Sequence, residues 1–185
     1  MSAVHSELDE KLISFISKQK MFFVATAPLS ADGHVNVSPK GYDSFRIIGP
    51  KRVAYLDLGG SGIETVAHAR ENRRITIMFC AFEGPALILR LYGKASVMQF
   101  DEPGYAEELA KFPGFQRARN IIFIDVERIA DSCGWGVPFY EFKETREQLK
   151  RAIEHRTEEE WTERRYVANA ESIDGLTGLV RKASL

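Results

Sequence analysis

The sequence predicts a mainly β domain, an antiparallel barrel with helical additions, and three observations carry that prediction. Six or seven short apolar runs of strand length follow one another, joined mostly by tight turns. Helical patterns fall near the two ends and once after a glycine turn, so they do not alternate with strands as a parallel α/β sheet requires. No GxGxxG, P-loop or serine nucleophile-elbow pattern is present.

Composition bounds the class. The chain has 185 residues, 44% of them hydrophobic, which suits one domain with a real core. A formal net charge of −1 argues against a nucleic-acid or polyanion binder, which normally carries a basic excess. Cys80 and Cys133 have no metal-ligand spacing around them, so neither a disulfide framework nor a metal site is expected. No leader pattern and no membrane-length apolar run is seen, and a cytoplasmic protein that does not enter a membrane is the expectation.

In chain order, Leu8, Leu12, Phe15 and Ile16 stand at helical spacing within Ser6–Gln19, an amphipathic helix. Met21–Ala27 (MFFVATA) reads as a buried strand, ended by Pro28. The turn residues Ser30-Ala31-Asp32-Gly33 lead to a strand at His34–Ser38, and Phe45–Ile48 and Arg52–Asp57 form another pair. Gly59-Gly60-Ser61-Gly62 then opens a short helix over Ile63–Glu71, with Ser61 as N-cap and Glu64 at capping-box spacing. Free backbone amides at such a helix start suit a phosphate, with Lys40 as a countercharge; an ordinary capped helix is the alternative.

Arg74–Cys80 alternates cleanly, with Ile75, Ile77 and Phe79 on one face. Ala86–Met98 reads as the longest strand, and Gly93 within it marks a bulge or a close backbone approach. Arg90 at mid-strand must reach solvent or meet an anion. Pro103–Lys111 reads as a short helix and Ile121–Val126 as the last strand. Trp135, between two glycines, either lies on a planar ligand or partner or plugs one end of the core. Glu144–Arg165 suits one charged outer helix, and Ala168–Leu185 an irregular tail or an arm onto a neighbour. The expected division is a barrel domain over 1–143, with a helix and tail over 144–185 packed on that domain or on a dimer partner. The sequence shows no paired His/carboxylate pattern around His5, His34, His68 or His155, so no catalytic residue is assigned.

Several stretches together resemble the pyridoxamine 5′-phosphate oxidase-like family of FMN-binding split barrels. They are MFFVATA, NVSPKG at Asn36–Gly41, VAYLDLGGSGIETVAHARENRRITIMF at Val53–Phe79 and LRLYGKASV at Leu89–Val97. SCGWGVP at Ser132–Pro138 and NAESIDGLTGL at Asn169–Leu179 resemble a bacterial subgroup of it. The resemblance implies an antiparallel six-stranded split β-barrel with flanking helices, forming a homodimer that holds FMN in clefts between subunits. It implies cofactor contacts from Ser38, Lys40 and Gly41, from Leu56 and Asp57 beside the ring, and from Ser61, Gly62 and Thr65 near the phosphate. Arg90 would pass the flavin, and Trp135 and Val137 would reach the ring from the other subunit.

Two departures narrow the function. The oxidases of this family grip the phosphate with an adjacent Arg-Lys pair, and Glu64 and Thr65 stand there in this chain. Their closing arginine- and histidine-containing motif has no equivalent in Gly175–Leu185. An FMN-dependent oxidoreductase acting on some other small molecule is therefore expected. A non-catalytic flavin or haem carrier or sensor is the alternative, and a deazaflavin is the variant cofactor.

Overall fold

The computed structural model describes residues 2–181. The first half contains β1 (Val4–His5), α1 (Glu10–Lys18), β2 (Phe22–Thr26), β3 (Asn36–Lys40), β4 (Phe45–Gly49), β5 (Arg52–Asp57) and α2 (Glu64–Asn72). The second contains β6 (Arg74–Cys80), β7 (Ile88–Gln99), α3 (Tyr105–Leu109), β8 (Asn120–Ser132), α4 (Gln148–Glu154) and α5 (Glu158–Ala168). All strands pair antiparallel in one sheet of order β3-β2-β6-β7-β8-β5-β4, with β1 added to β8. The mainly β antiparallel architecture with flanking helices is thus as expected, with eight strands rather than six and open edges at β3 and β4.

The sheet curls so that its two ends meet through aromatic side chains. Phe22 on β2 lies 5.1 Å from Phe45 on β4 and 5.6 Å from Tyr55 on β5, and Phe45 lies 5.1 Å from Phe79 on β6. Rings at these separations attract beyond their area burial, and each fully buried large apolar side chain contributes roughly 1.5–3 kcal/mol. This cluster closes the barrel where backbone pairing does not. Strand β5 is buried on both faces. Val53 and Tyr55 enter the barrel interior, while Ala54 and Leu56 join Leu58, Phe112 and Ile121 in a second core under α3.

Helix α1 starts at Asp9, whose side chain accepts from the Leu12 amide at 2.9 Å, and buries Leu12 and Ile16. Gly93 both bulges and approaches closely: the β7–β8 register shifts there, and a Cβ would stand 2.2 Å from the Asp125 carbonyl oxygen.

Several expected boundaries move. The β3 strand lies two residues later than His34–Ser38, bringing Lys40 into it. The longest strand is β8, with 13 residues, not the one containing Arg90. The helix at Pro103–Lys111 shrinks to Tyr105–Leu109, and Glu144–Arg165 splits into α4 and α5. A capping box at Thr157 and Glu160 forces that split, because it starts a fresh helix there.

The region after α5 folds back on its own chain as far as it is described. The Leu179 amide donates to Asn169 O at 2.8 Å, and Gln99 Nε2 donates to Val180 O at 2.9 Å. The expected tail reaches Leu185, and residues 182–185 lie outside the described range. No helix among the described residues is long and apolar enough to cross a membrane.

Candidate functional site

Strand β3 is an edge, which is why it tolerates Pro39. Its period-two alternation sends Asn36, Ser38 and Lys40 to the inner face, because Lys40 pairs with the core residue Phe22 and Ser38 with Val24. Asn36 Nδ2 donates to Thr26 Oγ1 at 3.2 Å and to Thr65 Oγ1 at 2.9 Å, and Ser38 Oγ donates to Asn36 Oδ1 at 3.1 Å.

His68 Nδ1 sits 3.0 Å from Thr26 Oγ1. Thr26 Oγ1 thus bridges Asn36 Nδ2 and the His68 ring. Burial holds the His68 pKa below its ordinary value, against the pull of Asp174, Glu71 and Glu64. Its Nε2, like the wholly buried Tyr55 hydroxyl, has no hydrogen-bond partner among the described residues.

At the end of β5, Asp57 is buried and gripped by Arg119, with Nε at 2.9 Å and Nη2 at 3.0 Å from its two carboxylate oxygens. Asn120 Nδ2 adds a contact at 3.2 Å, and Lys40 Nζ stands 3.9 Å away. Burial alone would raise the Asp57 pKa. The Arg119 and Lys40 charges, with hydrogen bonds from Arg119 and Asn120, overcome it and bring the value down to about 2. Lys40 therefore spans the seam between β3 and β5 with one long contact, leaving ammonium donors free.

Arg119 reaches further. Its Nη1 donates to Gly62 O at 2.7 Å and to Asn169 Oδ1, tying the glycine turn, the β5 end and the chain after α5 to one guanidinium. Above it, Gly59 and Gly62 take φ of +89° and +85°, and a Cβ on Gly60 would meet nothing within 4 Å. That open face adjoins a cleft of about 470 Å³ lined by His34, Asn36, Ser61, Gly62, Glu64 and Ile173.

The expected Ser61 cap does not form. The left-handed turn carries the chain past Ser61, α2 begins at Glu64, and its N-cap is Ile63 with no side-chain cap. Glu64 instead lies over Gly62, where a Cβ would come 2.5 Å from Oε2, and its Oε1 accepts from the Ile173 amide at 3.4 Å. Asp174 on the same tail segment accepts from the His34 amide at 2.8 Å and contacts its ring Nδ1 at 2.6 Å.

One corner thus gathers Ser38, Lys40, Asp57, Ser61, Gly62 and Thr65. Gly41 follows Lys40 but takes part only through its carbonyl, which accepts from Ser44 Oγ at 2.7 Å. Leu56 turns its side chain into the second core and its amide donates to Ser44 O at 2.8 Å, so neither group faces the corner.

Arg90 is in register with Met78, and through it with Phe23 and Pro39, which places it on the outer face opposite Lys40. It is half-buried and donates to Ser132 Oγ at 3.1 Å. Trp135 is 84% exposed, which excludes the core-plug reading, and Val137 closes a turn onto Gly134 O at 2.9 Å. Arg90 lies on the face away from the Lys40 corner, and Trp135 and Val137 follow the end of β8 that pairs with the start of β7.

Sequence reading missed Arg119, and quoted Asn36, Asn169 and Asp174 only within longer stretches without giving them roles. The Arg119-Asn120 pair just before an apolar strand was the available signal, since a charge there is costly without a buried partner.

An open antiparallel barrel with a cationic seam and a bare glycine turn belongs to the split-barrel class. A family model described as pyridoxamine 5′-phosphate oxidase matches residues 8–133. The pyridoxamine 5′-phosphate oxidase family protein ustO of Aspergillus flavus is 36% identical over 97% of this chain and 78% of its own length. The chain belongs to the pyridoxamine 5′-phosphate oxidase family. Among solved structures, HupZ of Group A Streptococcus superposes with a TM-score of 0.53 at 25% identity, covering 65% of this chain and 90% of that one. A Lactobacillus delbrueckii protein with a provisional pyridoxamine 5′-phosphate oxidase designation gives a TM-score of 0.50 at 18% identity, covering 68% and 94%.

Proposed function

We propose that this protein binds FMN between two copies of the chain and works as a flavin-dependent oxidoreductase on a small molecule. The observation that carries the reading is the separation of Lys40 from Arg90. Lys40, Ser61, Gly62 and Thr65 lie at the inner corner and Arg90 on the outer face, with Trp135 exposed just past the end of β8, so one ligand touches Lys40 and Arg90 together only if a second chain supplies one of them.

The inner corner has the donors a phosphorylated flavin needs. Lys40 keeps free ammonium protons, Thr65 holds its hydroxyl against Asn36, and the turn around Gly60 is open. The buried, unpartnered Tyr55 hydroxyl adds a polar group behind them. Glu64 is a repulsive neighbour, and its carboxylate faces the tail amide of Ile173.

A bound flavin supplies the redox chemistry, and the protein supplies orientation, charge and exclusion of water. Lys40 balances negative charge on the phosphate or ring edge, and Asp57, fixed by Arg119, holds Lys40 in place. The decisive experiment is the visible spectrum of the purified protein, with mass identification of the molecule released by heat. A flavin spectrum with FMN released supports the reading, and a colourless protein that ignores added FMN overturns it.

A further inference from the structure

We infer that a groove of about 1260 Å³ between α1, the start of β2 and the β6–β7 turn is a binding site for an elongated apolar anion such as a fatty-acyl carboxylate. It contains none of the residues assigned to the flavin and stands independently of that assignment. Its floor is apolar, made by Phe15, Met21, Phe23 and Leu87.

One wall is an ordered strap. The Tyr140 amide donates to Phe82 O at 3.0 Å, the Phe142 amide donates to Glu83 Oε1 at 3.1 Å, and the Phe82 and Tyr140 rings lie 5.5 Å apart. These contacts hold Tyr140 and Phe142 beside the opening although both rings remain largely exposed. The groove exceeds the roughly 300–1,000 Å³ usual for a compact ligand, which suits a long one.

The rim sets the sign of the ligand. Lys11, Lys18, Lys20 and Lys143 line it, and among the described residues none of them has a carboxylate within 4 Å. Lys11 and Lys18 stand on α1 roughly 10 Å apart along its axis. Lys20 Nζ lies over the Phe142 ring at 5.6 Å, a position that leaves its protons for an anion. Two carboxylates, Glu83 and Glu141, also line the groove, and Glu83 is turned to the Phe142 amide. The groove therefore joins an apolar bed to an excess of unpaired ammonium groups, complementary to a long apolar chain ending in a carboxylate.

The test is calorimetric titration of the whole protein with dodecanoate, and with dodecyltrimethylammonium as its cationic counterpart, both below their micellar concentrations. Dodecanoate should saturate a single site and the cation should not. Lys20→Glu should weaken dodecanoate about tenfold, and Ala86→Trp, which fills the exposed turn end of the groove, should abolish it. Both variants should keep the wild-type flavin content and far-ultraviolet spectrum. Equal binding of the cation, no saturation, or affinity unchanged by both substitutions overturns the site. So does affinity that falls as the protein self-associates, because a second copy then fills the groove.

Discussion

With FMN at the inner corner as proposed, Lys40 and Glu64 should act on its affinity in opposite directions. A charge-assisted hydrogen bond typically contributes roughly 1.5–3 kcal/mol, so Lys40→Ala should weaken FMN by about tenfold to about a hundredfold in a fluorescence titration. An unchanged affinity would remove Lys40 from the site. Glu64 brings a carboxylate to the mouth of the cleft, where a like charge at 4 Å costs about 1 kcal/mol in water and more when shielded. Glu64→Gln should therefore tighten FMN about fivefold while leaving the fold intact, and the same titration measures it. Neither residue's orientation was legible in the sequence. The spacing of Ser61 and Glu64 satisfied a capping box, but the box needs ordinary backbone at the cap, and positive φ at Gly59 and Gly62 displaced it.

Among elements, β5 and β8 are joined at their ends by the Asp57–Arg119 pair, both residues about 5% exposed. Removing one partner of such a pair leaves an uncompensated buried charge, which costs about 3–5 kcal/mol. Arg119→Met should show this loss in urea unfolding, together with faster proteolysis in the segment around Asn169 that Arg119 also holds. The pH dependence has a definite sign. The folded Asp57 pKa lies below its ordinary 3.8, so the pair stabilises fully above that value and loses its effect as pH falls toward about 2. About 2 kcal/mol is involved, and Asp57→Asn should flatten that part of the acid-unfolding profile. The strands themselves were readable because alternation of apolar residues survives in β6 and β7. The extension of β8 to Ser132 was not, since Glu127, Arg128 and Asp131 break the apolar run while the backbone continues to pair with β7.

For the molecule as a whole, the barrel was legible in turn chemistry and strand length, while its closure was not. Phe22, Phe45, Tyr55 and Phe79 read as separate apolar positions, and only the curl of the sheet makes them one cluster. The same limit applies to the site, because residues far apart in sequence meet through long-range contacts such as Asn36 with Thr65. Exposure of Trp135 gives the whole-molecule prediction. If the indole lies on the flavin of a second copy, Trp135→Ala should change flavin fluorescence and lifetime, and dilution below the dimerisation constant should change them in the same direction. An identical spectrum and lifetime would leave Trp135 outside the site.

The guanidinium of Arg119 also imposes an order of events on a nascent chain. Asp57 and Gly62 are already made when Arg119 is added, but Asn169 follows it by 50 residues. Until then the arginine holds the strand end and the glycine turn with one acceptor missing, and Gly178, whose absent side chain leaves room for the Asn169 carbonyl, has yet to dock. The strands of the barrel thus all precede Asn169 in the chain, and the guanidinium that holds the Gly62 turn gains its last acceptor only once α5 has been made.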